Sequence, residues 1–249
     1  MHNLGHTRSA SKRDHLLQTP DTFVRIPLPC LTNAAAIVHT GAAAGAAFTQ
    51  YTVEFEPGGV LASVGLQRFV YVLEGELMLR VAGTQRRLTA AEFSYLPASM
   101  THSFTAQRAA RAVVIERPRR APANAATDSE PALLLGREED CPAAPLLGDP
   151  DLLVRSLLPT DVALDFAVNV MTYQPGAALS MVESHVMEHG LLMLEGGGIY
   201  RLGDAWYPVT AGDFIWMAPF CPQWFGAIGK RPAKYLIYKD WNRHPLPCG

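Results

Sequence analysis

The chain has 249 residues, 49% of them hydrophobic and 18% charged, and a formal charge of −2 at neutral pH. That length suits one large domain or two of roughly 110 residues, and the apolar content excludes a disordered chain. With no basic stripe, no apolar run of roughly 18 residues and no signal-peptide core, the sequence argues against nucleic acid, a membrane or export. Four scattered cysteines, Cys30, Cys141, Cys221 and Cys248, form no CxxC pair, so a soluble cytoplasmic protein with reduced thiols is expected.

In chain order, residues 1–116 carry short apolar runs punctuated by Gly, Pro and Asp, the pattern of a β-sandwich or barrel. Residues 117–150 are rich in Pro and Ala and begin with Arg117, Arg119 and Arg120 around Pro118. They read as a connector with a short ordered turn at Leu133–Leu135. Residues 151–249 then repeat the first pattern. Residues 71–104 align without a gap on 192–225 at an offset of 121, placing Leu73-Glu74-Gly75 on Leu194-Glu195-Gly196 and Phe104 on Phe225. Upstream, Phe55-Glu56-Pro57-Gly58 matches Tyr173-Gln174-Pro175-Gly176 at an offset of 118, so the first copy lacks three residues between these motifs. A period this long makes each copy a domain.

Both copies resemble the two-part pattern of the cupin family, which implies an all-β fold of two tandem cupin barrels of the double-stranded β-helix or jelly-roll kind, a bicupin. In the second copy the first part reads Gly176, Glu183, His185, His189 and Gly196. The second part starts at Gly212 and puts Gln223 where the family's last His stands, with Ala218 and Phe220 replacing the usual Pro and Gly. On a strand, Glu183, His185 and His189 share parity and hence a face, while Glu188 has the opposite parity and is expected to point outward. Two imidazoles, a carboxylate and a neutral amide without thiolate suit Mn(II), with Fe(II), Ni(II) and Zn(II) also compatible. The same residues spell H-x-x-E-H, the inverted zinc-peptidase helix motif. The alignment with a β-like region of the first copy opposes that helix. In the first copy Val64 or a neighbour and Arg68 occupy ligand positions, and only His102, opposite Gln223, survives. An arginine has no lone pair for a metal, so the N-terminal cupin is expected to be metal-free and structural.

The stretches TYQPGAALSMVESHVMEHGLLMLEGGGIYRLGDAWYPVTAGDFIWM and KYLIYKDWNRHPL, with LLQTPDTFVRIPLP near the N-terminus, resemble the (S)-ureidoglycine aminohydrolase family of allantoin (purine) breakdown. The most specific part is E-x-H-x3-H followed by Gln. The resemblance implies hydrolysis of (S)-ureidoglycine to (S)-ureidoglycolate and ammonia with bound Mn(II) held by Glu183, His185, His189 and Gln223. It also implies catalytic roles for Glu183 and Lys239, substrate contacts from Tyr200, Tyr235, Lys239 and Gln223, and a homo-oligomer. From the strand pattern alone, Tyr235, Ile237 and Lys239 share one face. Two other readings stay open. One is another metal cupin acting on a small carboxylate, such as an oxalate-type decarboxylase or a dioxygenase, although those usually keep a third His at the position of Gln223. The other is a non-catalytic binding bicupin. Trp206, Trp216, Trp224 and Trp241 read as packing residues, Trp224 with a place beside the pocket, and Cys221 as an unactivated thiol.

Overall fold

A computed structural model describes residues 5–120, 130–161 and 163–241. Among these the regular structure is antiparallel strand, with three single-turn 3-10 helices and no α-helix. The H-x-x-E-H segment is therefore not a peptidase helix.

The chain forms two compact units, neither continuous in sequence. One gathers Met1–Phe23, Pro142–Ser156 and Phe166–Gly249; the other gathers Val24–Cys141 and Leu157–Asp165. They are called here the C-terminal and N-terminal units, after the repeat each contains. This division differs from a linear one at 1–116, 117–150 and 151–249, for a reason visible in the strand edges. The strand Phe214–Met217 of the C-terminal unit exposes an edge, and His15–Gln18 covers it, pairing Ile215 with Leu17 and Met217 with His15. The corresponding edge of the N-terminal unit, Glu92–Leu96, is covered by Leu134–Arg137. An open edge is a template for unwanted pairing, and each repeat borrows a strand from outside itself to close one. The turn expected at Leu133–Leu135 is thus largely a strand, and Ala143–Leu146 of the same stretch pairs with Asp149–Ser156. Residues 121–129 of the connector, and Cys248, lie outside the described residues.

In the C-terminal unit an eight-stranded sheet runs in the order Ala10–Ser11, His15–Gln18, Phe214–Met217, His189–Glu195, Ala233–Asp240, Phe166–Tyr173, Asp149–Ser156, Ala143–Leu146. A three-stranded sheet of Ala205–Thr210, Gly197–Leu202 and Gln223–Ala227 accompanies it. Leu191, Met193, Tyr200, Leu202, Phe225 and Ile237 form the core between them. The N-terminal unit is one ten-stranded sheet whose longest strand, Thr49–Ala62, pairs with both Ala110–Arg117 and His102–Thr105. Its core is built from residues such as Val70, Leu77, Phe104 and Val114.

The repeated Leu-Glu-Gly has a steric cause. Gly75 and Gly196 sit at φ +75° and +63°, and a Cβ would meet Ala109 O at 2.7 Å in one copy and Pro232 O at 2.4 Å in the other. Only glycine fits these hairpins.

Candidate metal centre and substrate cavity

The segment that carries the acidic and imidazole donors departs from the strand geometry expected of it. Where the N-terminal unit runs one continuous strand, the C-terminal unit breaks after Tyr173, and the chain up to Glu188 forms no regular strand, meeting the sheet through isolated hydrogen bonds and the bridges Ala178↔Gly226 and Glu183↔Gln223. The three additional residues of this copy fall in that irregular stretch. Its second bridge is a reciprocal backbone pair, Glu183 N–H to Gln223 O and Gln223 N–H to Glu183 O, both 2.9 Å. This pair sets the carboxylate and the amide side by side without a regular strand between them.

His185 stands at the centre of the group. Its Nε2 lies 3.0 Å from Gln223 Nε2, 3.4 Å from His189 Nε2 and 3.9 Å from Glu183 Oε2. His189 opens the strand His189–Glu195, and its Nδ1 lies 3.1 Å from the Tyr238 carbonyl. A carbonyl accepts only, so Nδ1 carries the proton and Nε2 presents its lone pair to the group. Burial, followed by the neighbouring His185, pushes the His189 pKa down to about 3, keeping the ring neutral and available as a donor. His185 Nδ1 is buried without a hydrogen-bond partner among the described residues. Gln223 turns its Nε2 toward His185 while its Oε1 accepts from the Tyr200 hydroxyl at 3.4 Å. To offer oxygen to a cation the amide must turn over, and a hydroxyl serves either orientation because it donates and accepts. Four N and O donors without thiolate, two of them imidazole nitrogens, fit a borderline or hard divalent cation.

These residues line a cavity of about 600 Å³ in the C-terminal unit, together with Tyr200, Tyr235 and Lys239. Lys239 and His189 are direct partners across adjacent strands, and Tyr235 pairs with Met193 four residues on. Tyr235, Ile237 and Lys239 all line the cavity, so they share the expected face. Burial lowers the Lys239 pKa while Glu183 opposes that shift, and the ammonium lies 4.7 Å from the centre of the Trp241 ring. Behind the cavity wall, Tyr173 and Tyr235 join hydroxyls at 2.7 Å. Tyr235 in turn lies close enough to Tyr200 for each phenol to raise or lower the other's pKa. A chain of phenols thus reaches the Gln223 amide. Burial holds all three phenols well above their usual pKa, so they stay protonated donors. Tyr173 escapes a reading of the sequence because a buried tyrosine in an apolar strand looks like ordinary core.

Several expectations for neighbouring residues fail. Glu188 is opposite in direction to His189 but is not outward: it is 1% exposed, and its carboxylate accepts from Trp216 Nε1 at 2.8 Å. Parity gives the face, and here both faces of the sheet are buried. Trp206 is 57% exposed rather than packed. Trp224 stands edge-on to it and donates to the Leu179 carbonyl at 2.7 Å, without lining the cavity. Phe220, in the slot where the cupin pattern carries glycine, has φ +63°, the left-handed conformation that glycine adopts without cost. Its N–H is held by the His185 carbonyl at 2.7 Å.

A second cluster of possible ligand atoms, Asp14, His15 and Cys221, lies within 4.8 Å. Both ring nitrogens of His15 are engaged, by Asp14 at 2.9 Å and by the Tyr207 hydroxyl at 2.8 Å, and burial pushes the Cys221 thiol up to about 11. The cluster locks the first strands onto their unit, and the thiol is unactivated, as the sequence suggests.

Sequence profiles bear out the two cupins: the Cupin domain matches residues 169–238 and the EutQ-like cupin domain matches residues 42–114. The (S)-ureidoglycine aminohydrolase of Arabidopsis thaliana is 42% identical over 250 residues, covering 97% of this chain and 80% of that protein. The chain belongs to the (S)-ureidoglycine aminohydrolase family. A bacterial (S)-ureidoglycine aminohydrolase, from Escherichia coli strain K12, is 28% identical over 91% of this chain and 88% of its own. The crystal structure of protein Ylba from E. coli superposes with a TM-score of 0.83 at 25% identity, covering 96% of each chain. The resemblance read from E-x-H-x3-H and Gln is therefore correct at the level of the aminohydrolase family. No helix among the described residues is long and apolar enough to cross a membrane.

Proposed function

We propose that this protein hydrolyses (S)-ureidoglycine to (S)-ureidoglycolate and ammonia, using a divalent metal, Mn(II) by preference, held by Glu183, His185, His189 and Gln223. The observation that carries the reading is the convergence of these four side chains on one point of a cavity that also presents Lys239, in a chain 42% identical to a named aminohydrolase over nearly its whole length. When bound, the cation acts as a Lewis acid toward the substrate and lowers the pKa of a coordinated water.

The protein's own groups do the rest. Lys239, in a half-buried site, anchors the substrate carboxylate as a point charge. The Tyr200 and Tyr235 hydroxyls hydrogen-bond the ureido end. The reaction breaks the C–N bond to the amine, forms a C–O bond to water, and moves a proton from water to the departing nitrogen. Glu183 is a third exposed and carries that proton, receiving it as carboxylate and delivering it to the amine on one face only. That single face gives stereoselectivity. In the N-terminal unit Arg68 and His102 hold no metal, and that barrel is structural. Cys30, Cys141 and Cys221 form no disulfide, which supports a cytoplasmic site of action, and the protein works as a homo-oligomer like other bicupins.

The test is ammonia release from freshly prepared ureidoglycine by metal-stripped protein reloaded with Mn(II). We expect metal-dependent release, loss of metal binding and activity in His185→Ala, and a fall of at least 100-fold in kcat for Glu183→Gln with metal retained. Full activity in Glu183→Gln would remove its role as proton carrier, and absence of release with every divalent metal would overturn the substrate.

A further inference from the structure

The two repeats place four corresponding side chains in the same register, and they treat them in opposite ways. Arg68 faces Glu116 across the strands of the N-terminal unit as His189 faces Lys239 in the C-terminal unit. Likewise Tyr51 faces Val114 as Asn169 faces Ile237, and His102 faces Val81 as Gln223 faces Leu202. In the N-terminal unit the four polar groups close on one another. Arg68 Nε donates to Glu116 Oε1 at 2.6 Å and Tyr51 donates to the same oxygen at 2.9 Å. Arg68 Nη1 lies 2.8 Å from His102 Nε2. Arg68, Tyr51 and His102 thus make these bonds within the protein itself.

In the C-terminal unit the same positions stay open. Asn169 is the instructive one: its residue is 8% exposed, it lines the cavity, and its amide makes no hydrogen bond among the described residues. The amide faces the cavity, and in a cavity wall a polar group that makes no hydrogen bond to the protein marks where a ligand can supply one. Asn169 is flanked by apolar Ile237 and Met171, surroundings that penalise a charged partner. Lys239 is its diagonal neighbour on the adjacent strand, at the spacing of roughly 7–8 Å typical of such pairs.

We propose that Asn169 is a specificity residue that reads the ureido group. Its Oδ1 accepts from a ureido N–H and its Nδ2 donates to the ureido carbonyl, a planar donor–acceptor match that the two phenols do not provide. Lys239, one step away, takes the carboxylate. This assignment rests on the aminohydrolase reading and deepens it.

The test uses two unreactive ligands and calorimetry on the Mn(II)-loaded protein. N-carbamoylglycine keeps the ureido group, and N-acetylglycine replaces its terminal amine by methyl. The wild-type protein should bind N-carbamoylglycine at least ten-fold more tightly. In Asn169→Ala and the milder Asn169→Ser that preference should shrink at least five-fold, with affinity for N-acetylglycine falling by less because only the bond to its carbonyl is lost. With ureidoglycine, the same variants should raise KM more than they lower kcat. An unchanged preference in a variant of wild-type melting temperature and metal content overturns the inference, as does a wild-type protein that prefers neither ligand. Loss of the aminohydrolase reading is seen separately, as no ammonia release from the wild type, while the binding preference is measured regardless.

Discussion

Tyr173 touches no donor of the metal set, yet its hydroxyl fixes that of Tyr235, which adjoins Tyr200 and through it bears on the orientation of the Gln223 amide. Removing the first oxygen leaves the buried Tyr235 hydroxyl short of one partner. Tyr173→Phe is therefore expected to cost about 1 kcal/mol of stability. It should lower kcat several-fold, with metal stoichiometry unchanged by elemental analysis. A second residue-scale prediction concerns His102. Burial, with a smaller contribution from Arg68, pushes its pKa down to about 4, against the unperturbed 6.5 of an unfolded chain. Between those values the unfolded state binds more protons than the folded state, so stability is fully present above pH 6.5 and is lost as pH falls toward 4. His102→Gln retains an acceptor for Arg68 and removes the titration. Urea midpoints at pH 4.5 and 7.5 should lie closer together in this variant than in the wild type. His39, held neutral by burial with its pKa at about 3, keeps part of the slope in both.

At the scale of elements, the strand His15–Gln18 is secured by more than its ladder. Arg8 grips the fully buried carboxylate of Asp213 with two nitrogens, at 2.6 and 2.8 Å, and Asp213 also accepts from Thr210 N–H at 2.9 Å. Arg8→Met leaves a buried charge without its cation, which costs about 3 kcal/mol in comparable sites. The loss should show as a lowered melting temperature and faster hydrogen exchange in Phe214–Met217, with Glu92–Leu96 of the other unit unaffected. The elements also differ in how far the sequence reveals them. The repeated Leu-Glu-Gly and the alternation around Tyr235, Ile237 and Lys239 mark strands and turns directly, because hairpin sterics and period-two burial are local. The route of His15–Gln18 to a strand some 200 residues later is not legible, since nothing local says which edge a short strand will fill. Glu183 and His185 stand out in the sequence through the family pattern, while the regular strand expected beneath them is absent. A backbone bridge and an irregular loop bring them to the same place. Asn169 and Tyr173 stayed hidden because their meaning depends on what faces them across the sheet.

At the scale of the molecule, two copies of one architecture have diverged in how they spend their buried polar groups. The N-terminal unit turns its set inward into the Arg68, Glu116, Tyr51 and His102 network. The C-terminal unit leaves its set facing a cavity. Stabilisation by a bound ligand follows mass action and acts on the state that binds it. Saturation with Mn(II) at about 100 times its dissociation constant should therefore add about 2.7 kcal/mol, read as hydrogen-exchange protection in the strands of the C-terminal unit. The strands of the N-terminal unit should gain little, and His185→Ala should gain none.

The borrowed first strand also fixes an order of events during synthesis. His15–Gln18 is made some 200 residues ahead of Phe214–Met217, so the nascent chain must carry that strand without its partner while everything between them is synthesised. The N-terminal unit draws its strands from residues 24–141 and can condense while its sister is still being made. The donors at Glu183, His185 and His189 gain their partner Gln223 only after the edge strand Phe214–Met217 beside them has been made. The site thus stays incomplete until Gln223 has been made, and a polypeptide that stops before it would hold a finished N-terminal unit beside an unfinished site.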